Sequence, residues 1–108
     1  MAEEEDKLTK EKVLAHYYGD EGVTALITLK VDTQNVEALA LEISKHEDVE
    51  DVFLVTGDVD IIAKAHFKNY DSCNDFILKS VRALNGVKDT KTLMVVTTYK
   101  ERGTRKQL

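Results

Sequence analysis

Apolar residues recur along this chain with two different periods. In residues 23–31 every second position is apolar: Val23, Ala25, Ile27, Leu29 and Val31. That is the alternation of a strand with one buried face. Asp32 and Thr33 follow as N-cap residue types. Val36, Leu39, Ala40 and Ile43 then fall at i, i+3, i+4 and i+7, the apolar stripe of a helix. Residues 49–56 are rich in β-branched side chains and predict a second strand. Gly57-Asp58 marks a turn, and residues 60–67 predict a third strand, so these two form a hairpin. Asp71 is the expected cap of a second helix. Its stripe is Cys73, Phe76, Ile77, Val81 and Leu84, and Gly86 stands at its C-terminal stop. Residues 90–99 predict a last strand.

The order is β-α-β-β-α-β, for which a ferredoxin-like α+β fold is the compact solution. Right-handed crossovers place both helices on one face of a four-stranded antiparallel sheet, in strand order 4-1-3-2. The other face is then open. Yet strand two is apolar on both sides, with Val52 and Leu54 against Phe53 and Val55. Strand four sets Met94 and Val96 against Leu93 and Val95, and strand three sets Ile61 against Ile62. Apolar surface of this kind marks an interface, so the expectation is a sheet-to-sheet dimer. The alternative is a terminal segment folding over the open face. A charge introduced at Met94 breaks the dimer if Met94 lies on the open side, and unfolds the domain if it faces the helices.

The flanks differ from this middle. Residues 1–20 are charged and predict a tail or short helix. Residues 21–100 form the domain, and residues 101–108 are a polar, basic tail expected to fray. The chain has 108 residues, room for one domain. Lys plus Arg total 15 against 20 Asp plus Glu, a formal charge of −5. This argues against direct DNA or RNA binding and against an anionic membrane surface. No apolar run is long enough to span a bilayer. The acidic start Glu3-Glu4-Glu5-Asp6 is unlike a signal peptide. The single cysteine, Cys73, can form no internal disulfide. A cytoplasmic location is the expectation.

Strand directions bring the Gly57-Asp58-Val59-Asp60 turn, the end of strand one and the start of strand four to one end of the sheet. Thr90 and Thr92 share a strand face. Asp58 and Asp60 supply acceptors for an ammonium group, while Thr hydroxyls and turn N–H groups supply donors for a carboxylate. Gly57 permits close backbone approach. The same residues also suit an ordinary hairpin turn and strand.

Two stretches carry a family resemblance. Val55-Thr56-Gly57-Asp58-Val59-Asp60-Ile61-Ile62-Ala63-Lys64 resembles the signature hairpin of the Lrp/AsnC regulators, as does Gly86-Val87-Lys88-Asp89-Thr90-Lys91-Thr92 about 30 residues later. Both belong to that family's effector domain, called RAM for regulation of amino acid metabolism. The resemblance covers residues 22–100. It implies a ferredoxin-like fold, dimers packed through their sheets, rings of dimers, and a free amino acid effector bound between subunits. It implies effector contacts at Gly57, Asp58, Asp60, Thr90 and Thr92. Two departures stand out. Val59 occupies a position where the family often has an aromatic residue. Only about 20 residues precede strand one, too few for the helix-turn-helix DNA-binding domain of full-length members, so the chain looks like a stand-alone effector domain.

Other chemistry is sparse. His16, His46 and His66 lack metal-ligand spacing, Cys73 reads as a small core residue, and Lys64 and His66 share the dimer-facing side of strand three. No nucleophile elbow, P-loop or zinc motif is present, and no cofactor is expected. The favoured function is a non-enzymatic, amino-acid-binding regulatory module, with an ACT-type domain as its near neighbour. The alternatives are a small ferredoxin-like dimeric enzyme, or a ligand-free assembly partner of full-length Lrp/AsnC regulators.

Overall fold

The computed structural model describes residues 22–106; the reading of residues 1–20 lies outside them. Strand β1 (Val23–Val31) is central, and β2 (Val49–Leu54), β3 (Ile61–Phe67) and β4 (Val87–Met94) complete a sheet of order β2-β3-β1-β4. All neighbours are antiparallel. This is the expected order, counted from the other edge, with two helices on one face. Helix α1 (Val36–Ser44) joins β1 to β2, and α2 (Tyr70–Asp75) joins β3 to β4.

The core lies between the sheet and the helices. Val23, Ala25, Ile27, Leu29 and Val31 of β1 are buried, as are Ile61, Ala63, Ala65 and Phe67 of β3. Leu39 and Ile43 of α1 close it from above, with Cys73, Phe76, Ile77 and Val81 from α2 and its extension. Each fully buried large aliphatic or aromatic side chain contributes about 1.5–3 kcal/mol. Phe67 and Phe76 meet with ring centroids 5.3 Å apart.

The helix starts differ from the expectation. The Asp32 side chain makes no cap hydrogen bond; a 3-10 turn (Thr33–Asn35) leads into α1, and the Asp32 carboxylate faces Lys88 at 3.6 Å. Asn69, not Asp71, caps α2, its Oδ1 accepting from the Ser72 N–H at 2.8 Å. Asp71 sits in the first turn, where a negative charge complements the helix dipole. After Asp75 the helix widens into a π-helical segment (Phe76–Val81), and the Arg82 N–H reaches back to the Ile77 carbonyl at 2.9 Å.

Strand β4 begins earlier than expected, because Gly86 (φ +100°) turns the chain directly into pairing. It ends at Met94, paired with Ala25 two residues short of the start of β1, with one further bond from the Val95 N–H to the Thr24 carbonyl.

Register assigns the faces. Met94 pairs with Ala25 and therefore lies on the helix side; Leu93 pairs with Leu26 on the open side. A charge at Met94 thus strikes the core. The open face carries Phe53, Ile62, Leu26 and Leu93, with Phe53 55% and Leu93 56% exposed.

The start of the C-terminal segment, expected as a polar, basic tail, takes up regular structure. It forms a hairpin, β5 (Lys100–Glu101) with β6 (Thr104–Arg105). Arg102 and Gly103 both have positive φ, 50° and 81°, as a tight two-residue hairpin turn requires. The Lys106 N–H closes onto the Tyr99 carbonyl at 2.8 Å. The Glu101 carboxylate pairs with Lys64 on the open face. The terminal segment therefore reaches that face, while Phe53 and Leu93 stay more than half exposed.

The Lys64 hydrogen bond holds Glu101 below the usual carboxylate value, and Glu101 in turn raises Lys64. A depressed acid stabilises above its unfolded value and loses that contribution as pH falls through the folded one; a raised base loses it as pH rises through its folded value. The hairpin is therefore attached across the neutral range and released at both extremes. Glu101→Gln should speed amide exchange at Lys106 at neutral pH and leave the Asp60 amide, bonded inside the sheet, unchanged. Equal protection of Lys106 in the variant would refute the anchoring role.

Candidate functional site

The turn between β2 and β3 is built around Asp60. Its N–H donates to the Leu29 carbonyl at 2.9 Å, and its carbonyl accepts from the Val55 N–H at 2.9 Å. Its carboxylate Oδ2 accepts from the Val31 N–H at 2.9 Å. The side chain thus adds one rung to the β1–β3 ladder beyond the point where β3 turns away. Gly57 has φ +137°, in the region that favours glycine. A Cβ there would meet nothing within 4 Å, so conformation rather than space calls for glycine. Asp58 is exposed.

The two threonines lie across β1. Thr90 pairs with Leu29 and Thr92 with Ile27. Leu29 and Ile27 face the core, so both hydroxyls lie on the helix side. Thr90 is level with the turn, two strand spacings or roughly 10 Å from β3. Thr92 stands one strand repeat, about 7 Å, further in. The turn and Thr90 therefore share one end of the sheet. Thr92 instead lines a cleft with Tyr70, Cys73, Asn74, Ile77 and Met94. Sequence reasoning missed this cleft. Its signal was present: 70, 73, 74 and 77 have the i, i+3, i+4, i+7 spacing of one helix face, with polar Asn74 interrupting the apolar stripe.

Cys73 is buried, and burial pushes its thiol up to about 11, so it stays neutral. On the open face the Thr24 hydroxyl and His66 Nδ1 are 2.9 Å apart, beside the Lys64–Glu101 pair. No three His, Cys, Asp or Glu residues converge on a metal position among the described residues. No described helix is long and apolar enough to cross a membrane.

The family model described as the Lrp/AsnC ligand binding domain matches residues 24–105, the sheet, both helices and the terminal hairpin. This chain belongs to the Lrp/AsnC ligand-binding-domain family. Over 77 residues it is 34% identical to the HTH-type transcriptional regulator FL11 of Pyrococcus abyssi, covering 71% of this chain and 50% of that protein. The chain spans about half the length of the FL11 regulators it matches. A homocitrate synthase of Sulfolobus acidocaldarius is 34% identical over 77 residues, 70% of this chain but only 16% of that enzyme. By structure the chain resembles the transcriptional regulator NMB0573 from Neisseria meningitidis, solved as an L-Met complex. The TM-score is 0.70 at 22% identity, covering 83% of this chain and 58% of that one. The relatives are chiefly transcriptional regulators; in the homocitrate synthase the matching stretch is a small fraction of an enzyme.

The Asp60 geometry separates two roles of one carboxylate. Asp60→Ala removes the acceptor for the Val31 N–H and should cost about 1–3 kcal/mol in chemical denaturation. Asp60→Asn keeps an acceptor oxygen and should cost less than half of that. Equal losses in the two variants would show that charge, not the Val31 bond, carries the contribution.

Proposed function

We propose that this chain is an amino-acid-binding regulatory module that self-associates and acts on transcription or metabolism through partner proteins, without catalysis of its own. The carrying observation is the match of the ligand-binding-domain family to nearly all of the described fold. A cytoplasmic location goes with this reading, as does DNA contact only through a partner such as a full-length Lrp/AsnC regulator, since the net charge of −5 opposes direct binding.

In this reading the effector's charged groups engage Gly57, Asp58, Asp60, Thr90 and Thr92, with a neighbouring subunit closing the pocket. Asp58 or Asp60 accepts from the ammonium. Turn N–H groups and the threonine hydroxyls donate to the carboxylate. The exposure of Asp58 and the positive φ of Gly57 support an accessible turn. Thr90 is level with it across β1. The alternation of β4 supports self-association: it leaves Leu93 outward beside Leu26, in a face that also bears Phe53 and Ile62. Packing two such faces forms a dimer, and dimers joining further make a ring.

Calorimetry against the common amino acids tests the effector. Charge-assisted bonds contribute roughly 1.5–3 kcal/mol each, so Asp60→Asn should weaken binding about tenfold to a hundredfold with the Val31 bond retained. Thr92→Val tests the carboxylate side without changing strand shape. If no amino acid at millimolar concentration gives heat or a melting shift, the effector reading falls and a ligand-free assembly partner replaces it.

Light scattering tests the assembly. The wild type should be a dimer or a multiple of one at micromolar concentration. Leu93→Asp should give a folded monomer, because an unpaired charge buried between sheets costs several kcal/mol. Met94→Asp should unfold the domain instead. A monomeric wild type would overturn the sheet-to-sheet dimer.

A further inference from the structure

We propose that Asn85-Gly86, the turn that feeds β4, is a site of spontaneous covalent modification. Asn85 converts there to isoaspartate or aspartate, and the lengthened isoaspartyl main chain loosens the junction between β1 and β4. The proposal is independent of the effector reading.

The chemistry is intramolecular and needs only water. The Gly86 nitrogen attacks the Asn85 side-chain carbonyl carbon, Cγ. The N–Cγ bond forms and the Cγ–Nδ2 bond breaks. Nδ2 leaves as ammonia with the proton that the Gly86 nitrogen gives up. Water then opens the five-membered imide. Cleavage of the new N–Cγ bond gives aspartate. Cleavage between the Gly86 nitrogen and the Asn85 main-chain carbonyl carbon gives isoaspartate, with the chain now running through Cβ and Cγ.

Three features favour the reaction at this asparagine. Asn85 is exposed, so water and base reach it. Residue 86 is glycine, so no Cβ shields the attacking nitrogen. Among the described residues the Gly86 N–H donates no hydrogen bond. The turn around it is loosely closed: the Val87 N–H lies 3.4 Å from the Leu84 carbonyl, longer than a well-made bond. The other asparagines differ. Asn35, Asn69 and Asn74 precede Val36, Tyr70 and Asp75, whose side chains crowd the nitrogen. The Asn69 side chain is also held by the Ser72 N–H.

The position gives the modification its effect. The Gly86 carbonyl accepts from the Asp32 N–H at 2.8 Å. One residue earlier the Val31 N–H donates to the Asp60 carboxylate, and Val31 pairs with Val87. Gly86 and Asp60 thus hold successive amides at the end of β1. A Cβ on Gly86 would stand 3.4 Å from Leu39 Cδ1, so α1 lies close to the same residue. Isoaspartate adds one carbon–carbon bond, about 1.5 Å, to the main chain just before this contact. The added length displaces the Gly86 carbonyl and leaves the Asp32 N–H to water.

Peptide mapping tests the chemistry. Trypsin cuts after Arg82 and Lys88, so residues 83–88 form a peptide with Asn85 as its one asparagine. After incubation of the full chain at mildly alkaline pH, that peptide should gain one mass unit and split into two chromatographic forms. It should convert at least tenfold faster than the peptides holding Asn35, Asn69 and Asn74. Amide exchange tests the consequence. In the incubated chain the Asp32 amide should exchange at least tenfold faster. The Val95 amide, bonded at the far end of β1, should not change. Asn85→Gln, which would need a six-membered ring, should keep its mass and its slow Asp32 exchange. Freshly prepared Asn85→Asp adds the charge without the length and should also exchange slowly at Asp32. An Asn85 peptide that converts no faster than the others overturns the site. Conversion with Asp32 exchange still slow, or equally fast exchange in Asn85→Asp, overturns the loosening by added length.

Discussion

Strand β1 is bonded along both edges, and the rest of the molecule depends on that. One side of its ladder sets the register of β3, the other that of β4. Its five inward side chains, Val23 to Val31, form the floor on which both helices sit. A one-residue slip of either partner would send its whole apolar set to the opposite face. The alternation therefore specifies register strongly, and the sites follow from register. Thr90 is opposite Leu29, Thr92 opposite Ile27, and Asp60 donates to the Leu29 carbonyl, all as consequences of where β1 is.

The two ends of β1 are handled differently. At Val31 its partner β3 has already turned away, and the Asp60 carboxylate supplies the missing acceptor. An orphaned N–H at a half-buried strand end is costly, so an acidic residue here has a structural reason besides any ligand. At the Val23 end β3 pairs to the last residue, Phe67, while β4 stops opposite Ala25 and the residues after Met94 leave the sheet for the terminal hairpin. The hairpin returns to the open face, where Glu101 pairs with Lys64.

Most of the fold was legible in the sequence because it is written in periodicity. The alternation of β1, the stripe Val36, Leu39, Ala40, Ile43 and the Gly57 turn lie where the pattern sets them, whereas the second helix ends at Val81, ahead of the Gly86 stop expected for it. The family, too, was legible from the Gly57-to-Lys64 and Gly86-to-Thr92 stretches. What was not legible depended on competition. Asp32 is a good cap by residue type, but Lys88, brought close by the return of β4, offers its carboxylate an ion pair. The span of β4 could not be read from its own residues, because 90–99 is β-prone throughout and nothing in it marks Met94 as the last paired residue. The terminal hairpin was missed because its anchor, Lys64, is distant in sequence. The side taken by Met94 needed the register of β4 against β1. The candidate site was half legible: the turn residues and Thr90 share one end of the sheet, but the cleft around Thr92 depends on how α2 lies over an edge strand.

Strand β4 consequently joins two surfaces that the rest of the fold keeps apart. Successive residues point to opposite faces, so Leu93, on the open side, lies between Thr92 and Met94, both in the cleft wall. An inner strand held on both edges would resist displacement. As an edge strand, β4 is held by the β1 ladder on one side alone. Backbone geometry therefore ties the orientation of Leu93 directly to that of Thr92 and Met94, on which α2 rests. A ligand can bias assembly only to the extent that it binds the associated and free states differently. In this fold the strand that lines the cleft also carries an apolar residue of the open face. The edge position that creates the cleft is the same position that leaves β4 bonded along one side alone.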